Sequence, residues 1–283
     1  METNMFVKSH GLGNDYIVLD SEHLDFELTN ERVVRICDIH FGIGSDGILV
    51  KVPSLIADFG LLIYNTDASL AENCGNGLRI FSKFLVDYGF TNKSHFTVDI
   101  MGRLIHCTIV EKKAGRVSKV QVEMGKANFK SPEIPILFSK PECIHETLIV
   151  DNKEFTVNCV SVGNPHCVVF RDTLDYEELC TYAPKIQALP MFPNGVNVQF
   201  AKRISNTEVQ ILIFERGVGY TLASGSSSCA VASVMVKNKL TQPHVTIRMP
   251  GGTLDISISK DWDITMTGPV QEIAHGILSN EMI

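Results

Sequence analysis

The sequence predicts an α/β (α+β) chain built as two pseudo-symmetric domains, and three observations predict it. First, Cys74-Gly75-Asn76-Gly77 is followed by Leu78, Phe81, Phe84, Leu85 and Tyr88 at helical spacing, so the cysteine stands where a helix begins. Second, a shift of 150 residues (224 − 74) lays Leu62-Ile63-Tyr64-Asn65 on Leu212-Ile213-Phe214-Glu215, and Cys74-Gly75 on Ser224-Gly225, with no gap. Third, the helix that starts at Ser224 is apolar nearly all round (Ala230, Val231, Ala232, Val234, Met235, Val236), the pattern of a helix enclosed by other elements. The same shift lays Gly13-Asn14 on Gly163-Asn164, Gly47 on Asn197, and Met101-Gly102-Arg103-Leu104 on Gly251-Gly252-Thr253-Leu254. A constant offset over most of a chain signals two copies of one unit. Each half is therefore expected to wrap strands around one central helix, with boundaries at 1–130 and 131–283.

The elements follow in order. Phe6-Val7-Lys8 and Tyr16-Ile17-Val18-Leu19 read as strands around the turn Gly11-Leu12-Gly13-Asn14-Asp15. Glu31 to Cys37 has helical spacing and leads into Phe41-Gly42-Ile43-Gly44-Ser45-Asp46-Gly47. That run matches the dinucleotide-binding pattern G-x-G-x-x-G, but a strand (Ile48-Leu49-Val50) follows where a helix is required, so the match fails on context. Leu61 to Tyr64 is an apolar strand feeding the loop that carries Asn65 and then Cys74. Phe96 to Val110 and Val117 to Glu123 read as a hairpin-like pair. Ser131-Pro132-Glu133-Ile134-Pro135, with Pro141 beyond, is the linker candidate. The second half repeats the first: strand, Gly163-Asn164-Pro165-His166, strand, helix, Phe192-Pro193-Asn194-Gly195-Val196-Asn197, strand, loop, helix.

Composition narrows the function. With 45% hydrophobic and 20% charged residues in 283, the chain can bury substantial cores. A net charge of −7 and the lack of any basic run argue against nucleic acid or an acidic membrane surface as partner, which leaves a small molecule. The eight cysteines show no C-x-x-C and read as reduced thiols of a cytoplasmic protein. Neither a signal peptide nor a membrane-spanning run is visible. His166-Cys167 and Cys143-Ile144-His145 fit no zinc spacing, so no metal is expected.

A helix start carries unpaired N–H groups and the positive end of the dipole, which favour a thiolate and leave room for a carboxylate. Two such starts facing one cleft would hold a carboxylate and present one side chain to each face of its α-carbon. Were both side chains thiols, one could remove the α-proton while the other returned a proton, giving racemisation with no cofactor. Asn14, Asn65, Asn164 and Asn197 all fall in loops, where asparagine usually makes turns. Beside Glu215-Arg216 they suit a polar amino-acid ligand: Arg216 can clamp a carboxylate, and Glu215 can pair with an ammonium. His166 could orient an amine or a thiolate, or serve as a hydrogen-bonded structural histidine.

These residues resemble the diaminopimelate epimerase family over essentially the whole chain. The matching motifs are His10-Gly11-Leu12-Gly13-Asn14-Asp15, Phe41-Gly42-Ile43-Gly44, Asn73-Cys74-Gly75-Asn76-Gly77 with Arg79, Gly163-Asn164-Pro165-His166, Asn197, and Glu215-Arg216-Gly217. The resemblance implies two similar domains, each a mixed β-barrel-like sheet around a central helix, with the C-terminal strand near 270–283 open to recruitment by the first. It implies cofactor-free interconversion of LL- and meso-diaminopimelate, a diamino-dicarboxylate, for lysine and peptidoglycan synthesis, and leaves a homodimer open. Cys74 would be one catalytic thiol. Gly75, Asn76, Gly225 and Ser226 at the helix starts would hold the reacting end. Asn65, Asn164, Asn197 and Arg216 would hold the other, with Asn14 and Glu215 also at the ligand and His166 supporting.

The sequence departs from the family at several of these positions. The second catalytic cysteine falls on Ser224, the usual Thr and Gly that follow it fall on Ser226 and Ser227, and the usual Glu falls on Tyr220. Gly47 stands where many relatives have Gln. Two further readings stay open: a one-thiol lyase or isomerase of the same superfamily, and a non-catalytic amino-acid-binding protein. A Ser224 hydrolase is disfavoured because Ser224-Gly225-Ser226 lacks the G-x-S-x-G elbow.

Overall fold

The computed structural model describes residues 2–71 and 74–283. Asn73 of the cysteine motif lies outside the described residues. The chain divides into two units, Met1–Val122 with Thr267–Ile283, and Glu123–Met266.

The first unit runs β1 (Met5–Gly11), β2 (Asn14–Asp20), α1 (Asn30–Cys37), β3 (Gly47–Val52), β4 (Phe59–Asn65), α2 (Gly75–Asp87), β5 (His95–Ile100), β6 (Arg103–Lys113) and β7 (Arg116–Lys126). β1 and β2 pair antiparallel across Leu12-Gly13, both at positive φ (60° and 91°) as a two-residue hairpin turn of the favoured hand requires. β2 and β3 are parallel neighbours joined through α1. β3–β4 is antiparallel, β4–β5 parallel, and β5–β6–β7 antiparallel. The sheet is mixed, and β2 and β3 are buried on both faces because helices cover both. Ile48 and Val50 pack with Val33 and Ile36 of α1, whereas Leu49 points the other way and reaches Gly77 of α2.

The second unit repeats this with β8 (Glu146–Val150), β9 (Lys153–Ser161), β10 (Pro165–Phe170), α3 (Tyr176–Gln187), β11 (Asn197–Arg203), β12 (Glu208–Glu215), β13 (Gly219–Thr221), α4 (Gly225–Lys237), β14 (His244–Met249), β15 (Gly252–Ile258) and β16 (Asp263–Pro269). Leu179, Ala183 and Ile186 of α3 pack on Phe155, Val157, Val198 and Phe200. α2 and α4 are thirteen residues each, and both are almost wholly buried. Three of their serines satisfy themselves by bonding four residues back: Ser82 Oγ to Leu78 O, Ser228 Oγ to Ser224 O, and Ser233 Oγ to Cys229 O, at 2.7–2.8 Å.

The repeat is written in the strand register. Ile48 pairs with Tyr64 and Val198 with Phe214, and the match continues to Val52↔Gly60 and Lys202↔Gln210. Beyond the helices, however, His95 pairs with Thr108 and His244 with Ser257, an offset of 149 (244 − 95). Met101-Gly102 therefore corresponds to Pro250-Gly251 and not, as the ungapped shift predicts, to Gly251-Gly252. The lost residue falls in the loops 88–94 and 238–243. Inside a strand it would have turned every following side chain to the wrong face.

Several sequence expectations need amendment. The proline-containing stretch is no linker: Ser131–Glu133 forms a 3₁₀ turn, Ser131 and Ile134 are buried, and Lys130 bridges to Glu142. The chain crosses between units within β7 and β16. Phe96 to Val110 is two strands, broken by Met101-Gly102 at positive φ, so with β7 it makes a three-stranded meander. The Gly42–Gly47 run closes the C-terminal end of α1, since the N–H groups of Ile43 and Gly44 both donate to Ile36 O, and a Cβ on Gly42 would lie 2.0 Å from Arg35 O. β17 (Gln271–Ile277) pairs antiparallel with β1, from Met5↔Ile277 to Lys8↔Ala274, as β8 pairs with β9.

Enclosing α2 also buries charge. Lys83 Nζ lies 2.6 Å from Asp87 Oδ2 and donates to Val117 O at 2.8 Å, while Asp87 Oδ1 accepts Val117 N–H at 2.9 Å. The two side chains are 7% and 1% exposed. Removing one partner of such a pair strands the other, so Asp87→Ala is expected to lower the unfolding free energy by about 3–5 kcal/mol in urea titrations. A loss below about 1 kcal/mol would mean that water reaches Lys83.

Candidate active site

Cys74 is the N-cap of α2. Its backbone is extended (φ −152°, ψ 103°), and its Sγ accepts the Gly77 N–H at 3.2 Å. Gly77 has to be small there, because a Cβ would sit 3.1 Å from Leu49 Cδ2 and 3.3 Å from the sulfur itself. By helix geometry the N–H groups of Gly75 and Asn76 have no acceptor within α2, which makes this end of the helix receptive to an anion. The Tyr16 hydroxyl lies 3.4 Å from Sγ. Cys74 and Cys180 are partly exposed, and the other six thiols are buried.

Ser224 caps α4 in nearly the same conformation (φ −149°, ψ 126°), with its Oγ accepting the Ser227 N–H at 3.4 Å. Ser226 Oγ lies 3.5 Å away, and Ser224 N–H points at Met249 Sδ at 3.5 Å. Burial raises the Glu215 carboxyl above its usual range, and the Ser224 hydroxyl only partly offsets that. Gly225 lies beside Ser224 at the first helical position.

The four loop asparagines divide into two kinds. Asn14 has both ends of its amide engaged: its Oδ1 accepts from Asn76 Nδ2 at 3.1 Å and its Nδ2 donates to Asp46 Oδ2 at 2.7 Å. Asn76 Oδ1 in turn accepts from Arg79 at 2.8 Å. The chain Arg79–Asn76–Asn14–Asp46 thus has a cation at one end and a carboxylate at the other, which fixes the orientation of both amides. Asn197 is engaged as well, donating to Pro165 O and accepting the Arg216 backbone N–H, each at 3.0 Å. Asn164 and Asn65 are bonded at one end. Asn164 Oδ1 accepts from His166 Nε2 at 2.9 Å, and Asn65 Nδ2 donates to Ser69 Oγ at 2.9 Å.

His166 is fully buried, so it orients Asn164 and is not itself open to a ligand. Its Nδ1 accepts from Gln199 Nε2 at 3.1 Å, and the same amide reaches Ser227 Oγ at 3.0 Å, so Asn164 is wired to the first turn of α4. Burial pushes the imidazole down to about 3, with the Gln199 bond opposing and the nearby Arg216 charge adding to the shift. Arg216 is exposed. It donates to Asn194 O at 2.9 Å, its chain passes 3.0 Å from where a Cβ on Gly195 would be, and it forms no ion pair among the described residues, with Glu215 included. Tyr220 packs edge-on against Tyr176 at 4.7 Å. Gly47 is buried, and a Cβ there would lie 2.3 Å from Tyr64 O and 2.8 Å from Tyr16 Cε1.

Sequence reasoning missed Tyr16, Asp46 and Gln199. Gln199 gave a signal, as a polar residue inside the apolar run Asn197-Val198-Gln199-Phe200-Ala201. Tyr16 gave none beyond its place in a strand. Among the described residues no group of three His, Cys, Asp or Glu is placed to hold a metal ion, and no helix is long and apolar enough to cross a membrane.

The sequence model of the family described as diaminopimelate epimerase matches residues 6–130 and 158–273. The chain is 44% identical to diaminopimelate epimerase 2 of Nostoc sp. over 98% of its own length and 96% of the relative's. It is 37% identical to the diaminopimelate epimerase of Methanococcus maripaludis over 96% and 98%. Among solved structures it is similar to a Bacillus anthracis phenazine biosynthesis protein of the PhzF family (TM-score 0.71, 14% identity, 99% and 100% covered). It is also similar to a probable proline racemase of Agrobacterium radiobacter K84 (TM-score 0.70, 11% identity, 98% and 93% covered). At these identities the two structures share its fold.

The buried neutral His166 makes stability pH-dependent with a defined sign. Its folded pKa is depressed below the unfolded value of 6.5, so its contribution is complete above 6.5 and is lost as pH falls toward about 3. Between pH 7 and pH 4.5 the protein should lose roughly 2–3 kcal/mol more unfolding free energy than His166→Gln. Equal losses in denaturant titrations at the two pH values would show the imidazole to be hydrated.

Proposed function

Because the chain belongs to the diaminopimelate epimerase family, we propose that it acts on diaminopimelate at the α-carbon without a cofactor, interconverting the LL and meso forms with Cys74 as acid and base. The observation that carries this reading is the thiol cap of α2, with Gly77 N–H on its sulfur and anion-receptive N–H groups beside it. Removal of an α-proton by Cys74 puts negative charge on the substrate carboxylate. The N–H groups of Gly75 and Asn76 are oriented before the reaction, so they stabilise that charge with little reorganisation. Gly225 and Ser226 offer the same donors at the start of α4. The distal end of the substrate is a second carboxylate and ammonium, suited to the Arg216 guanidinium, the Asn164 Nδ2 and the Asn65 Oδ1. Such an enzyme supplies lysine and peptidoglycan precursors in the cytoplasm.

Ser224 favours a second reading of the chemistry. Inversion needs a proton removed on one face of the carbon and another delivered on the opposite face. A serine hydroxyl is far less acidic than a thiol, so Ser224 is a poor base, although it can still donate a proton. Cys74 alone would then exchange the α-proton of one stereoisomer faster than it inverts it.

Deuterium incorporation at each stereocentre in D2O separates the two readings. Cys74→Ser should abolish exchange and inversion together. Ser224→Cys should raise inversion by orders of magnitude while exchange at the Cys74 face changes little. Fast inversion by the unaltered protein, with no gain from Ser224→Cys, would assign the second proton to another group. Arg216→Ala should weaken substrate binding by about 2–5 kcal/mol with the melting temperature nearly unchanged, because its side chain is exposed and pairs with no acid among the described residues. Undiminished affinity would move carboxylate recognition elsewhere.

A further inference from the structure

Tyr16 sits on β2, 7% exposed, with its hydroxyl 3.4 Å from Cys74 Sγ. The space for its ring exists because position 47 has no side chain. A Cβ on Gly47 would lie 2.8 Å from Tyr16 Cε1 and 3.2 Å from Cδ1, and it could not turn away, because Tyr64 O is at 2.3 Å on the other side. The aromatic ring, its hydroxyl and the bare position beside it thus form one arrangement, aimed at the sulfur.

We propose that Tyr16 is a positioning residue for Cys74, seated by Gly47, whose hydroxyl becomes the second hydrogen-bond donor to the sulfur when the thiol has given up its proton. The inference rests on the reading of Cys74 as the catalytic thiol. In the thiol form the S–H donates to the phenol oxygen. A thiolate has no proton to donate, so the hydroxyl rotates and its O–H donates to sulfur, joining Gly77 N–H at 3.2 Å. Two donors from different directions hold the sulfur in one rotamer and favour its charged form. Both donors, the phenol and the backbone N–H, are uncharged groups, so they add no fixed charge of their own near the substrate carboxylate. Among the described residues, Lys8, His10, Asp15, Asp46 and Arg79 are the charged or titratable groups on the strands, loop and helix packed around this helix start, and none of them is altered in the variants below.

The test is the rate of iodoacetamide alkylation of Cys74 as a function of pH, read peptide by peptide by mass spectrometry, with the other partly exposed thiol, Cys180, as internal reference. Tyr16→Phe keeps the ring and removes the hydroxyl. It should shift the Cys74 profile upward by about one pH unit, slowing alkylation near neutrality about tenfold, with Cys180 unchanged. Replacing Tyr16 by 3-fluorotyrosine, a stronger donor of nearly the same size, should shift the profile the other way. Profiles that superimpose on the unaltered protein in either variant would overturn the proposal. Should Tyr16→Phe fail to fold, the fluorotyrosine protein decides alone. The alkylation readout is independent of turnover. Were Cys74 not the catalytic thiol, Cys74→Ser would leave α-proton exchange intact whatever Tyr16 does, so the two failures are distinguishable.

Discussion

A helix enclosed by strands has few partners for the N–H groups of its first turn, and in both central helices the cap side chain accepts the one at the third position. In α2 that acceptor is the Cys74 sulfur, and in α4 it is the Ser224 oxygen. Much of the local structure follows from this requirement. The cap needs extended backbone, which brings the chain in from a loop. The N3 residue comes close: in α2 it is Gly77, where a Cβ would press on Leu49 and the sulfur, and in α4 it is Ser227, hydrogen bonded on its other side to Gln199. The N–H groups at the first two positions stay available, and a carboxylate is the ligand they suit. The device that satisfies the helix is therefore the same one that brings an acid/base side chain to a ligand.

Around each cap the polar residues are arranged to be held rather than to hold. Asn14 is fixed between Asn76 and Asp46, and Asn164 is fixed by His166, which is itself kept neutral by burial. The two networks use different residues to bring the equivalent asparagines, one on each side of the repeat, into defined orientations. A neutral imidazole between two amides does this without placing a second cation beside Arg216.

The fold was legible in the sequence because its main signals are periodic. The enclosed character of α4 was visible in the run Ala230 to Val236, and the repeat in residues 62–65 and 212–215. The slip from 150 to 149 was not visible, because glycines at 102, 251 and 252 align plausibly in either register, and only the pairing of His95 and His244 with their partners decides. The linker was misread because Pro132 and Pro135 signal a turn equally well whether the turn is exposed or buried, and Ile134 buries it. At the site, the caps were readable since Cys-Gly and Ser-Gly before a helical pattern have a mechanism. Whether an asparagine meets ligand or protein was not readable, because it depends on Asp46 and Gln199, which lie on other strands and loops. Tyr16 looked like one more apolar strand residue, and its hydroxyl acquires meaning only beside Cys74.

The pairing of β17 with β1 has a consequence for the order of assembly on the ribosome. Residues 123–266 form a unit from one uninterrupted segment, and all of it is synthesised before β17. The unit synthesised first must wait with the edge of β1 unpaired until residues 271–277 appear. The part of the protein that carries Cys74 is therefore begun first and closed last. A nascent chain stalled between β16 and β17 would present an open sheet edge along β1.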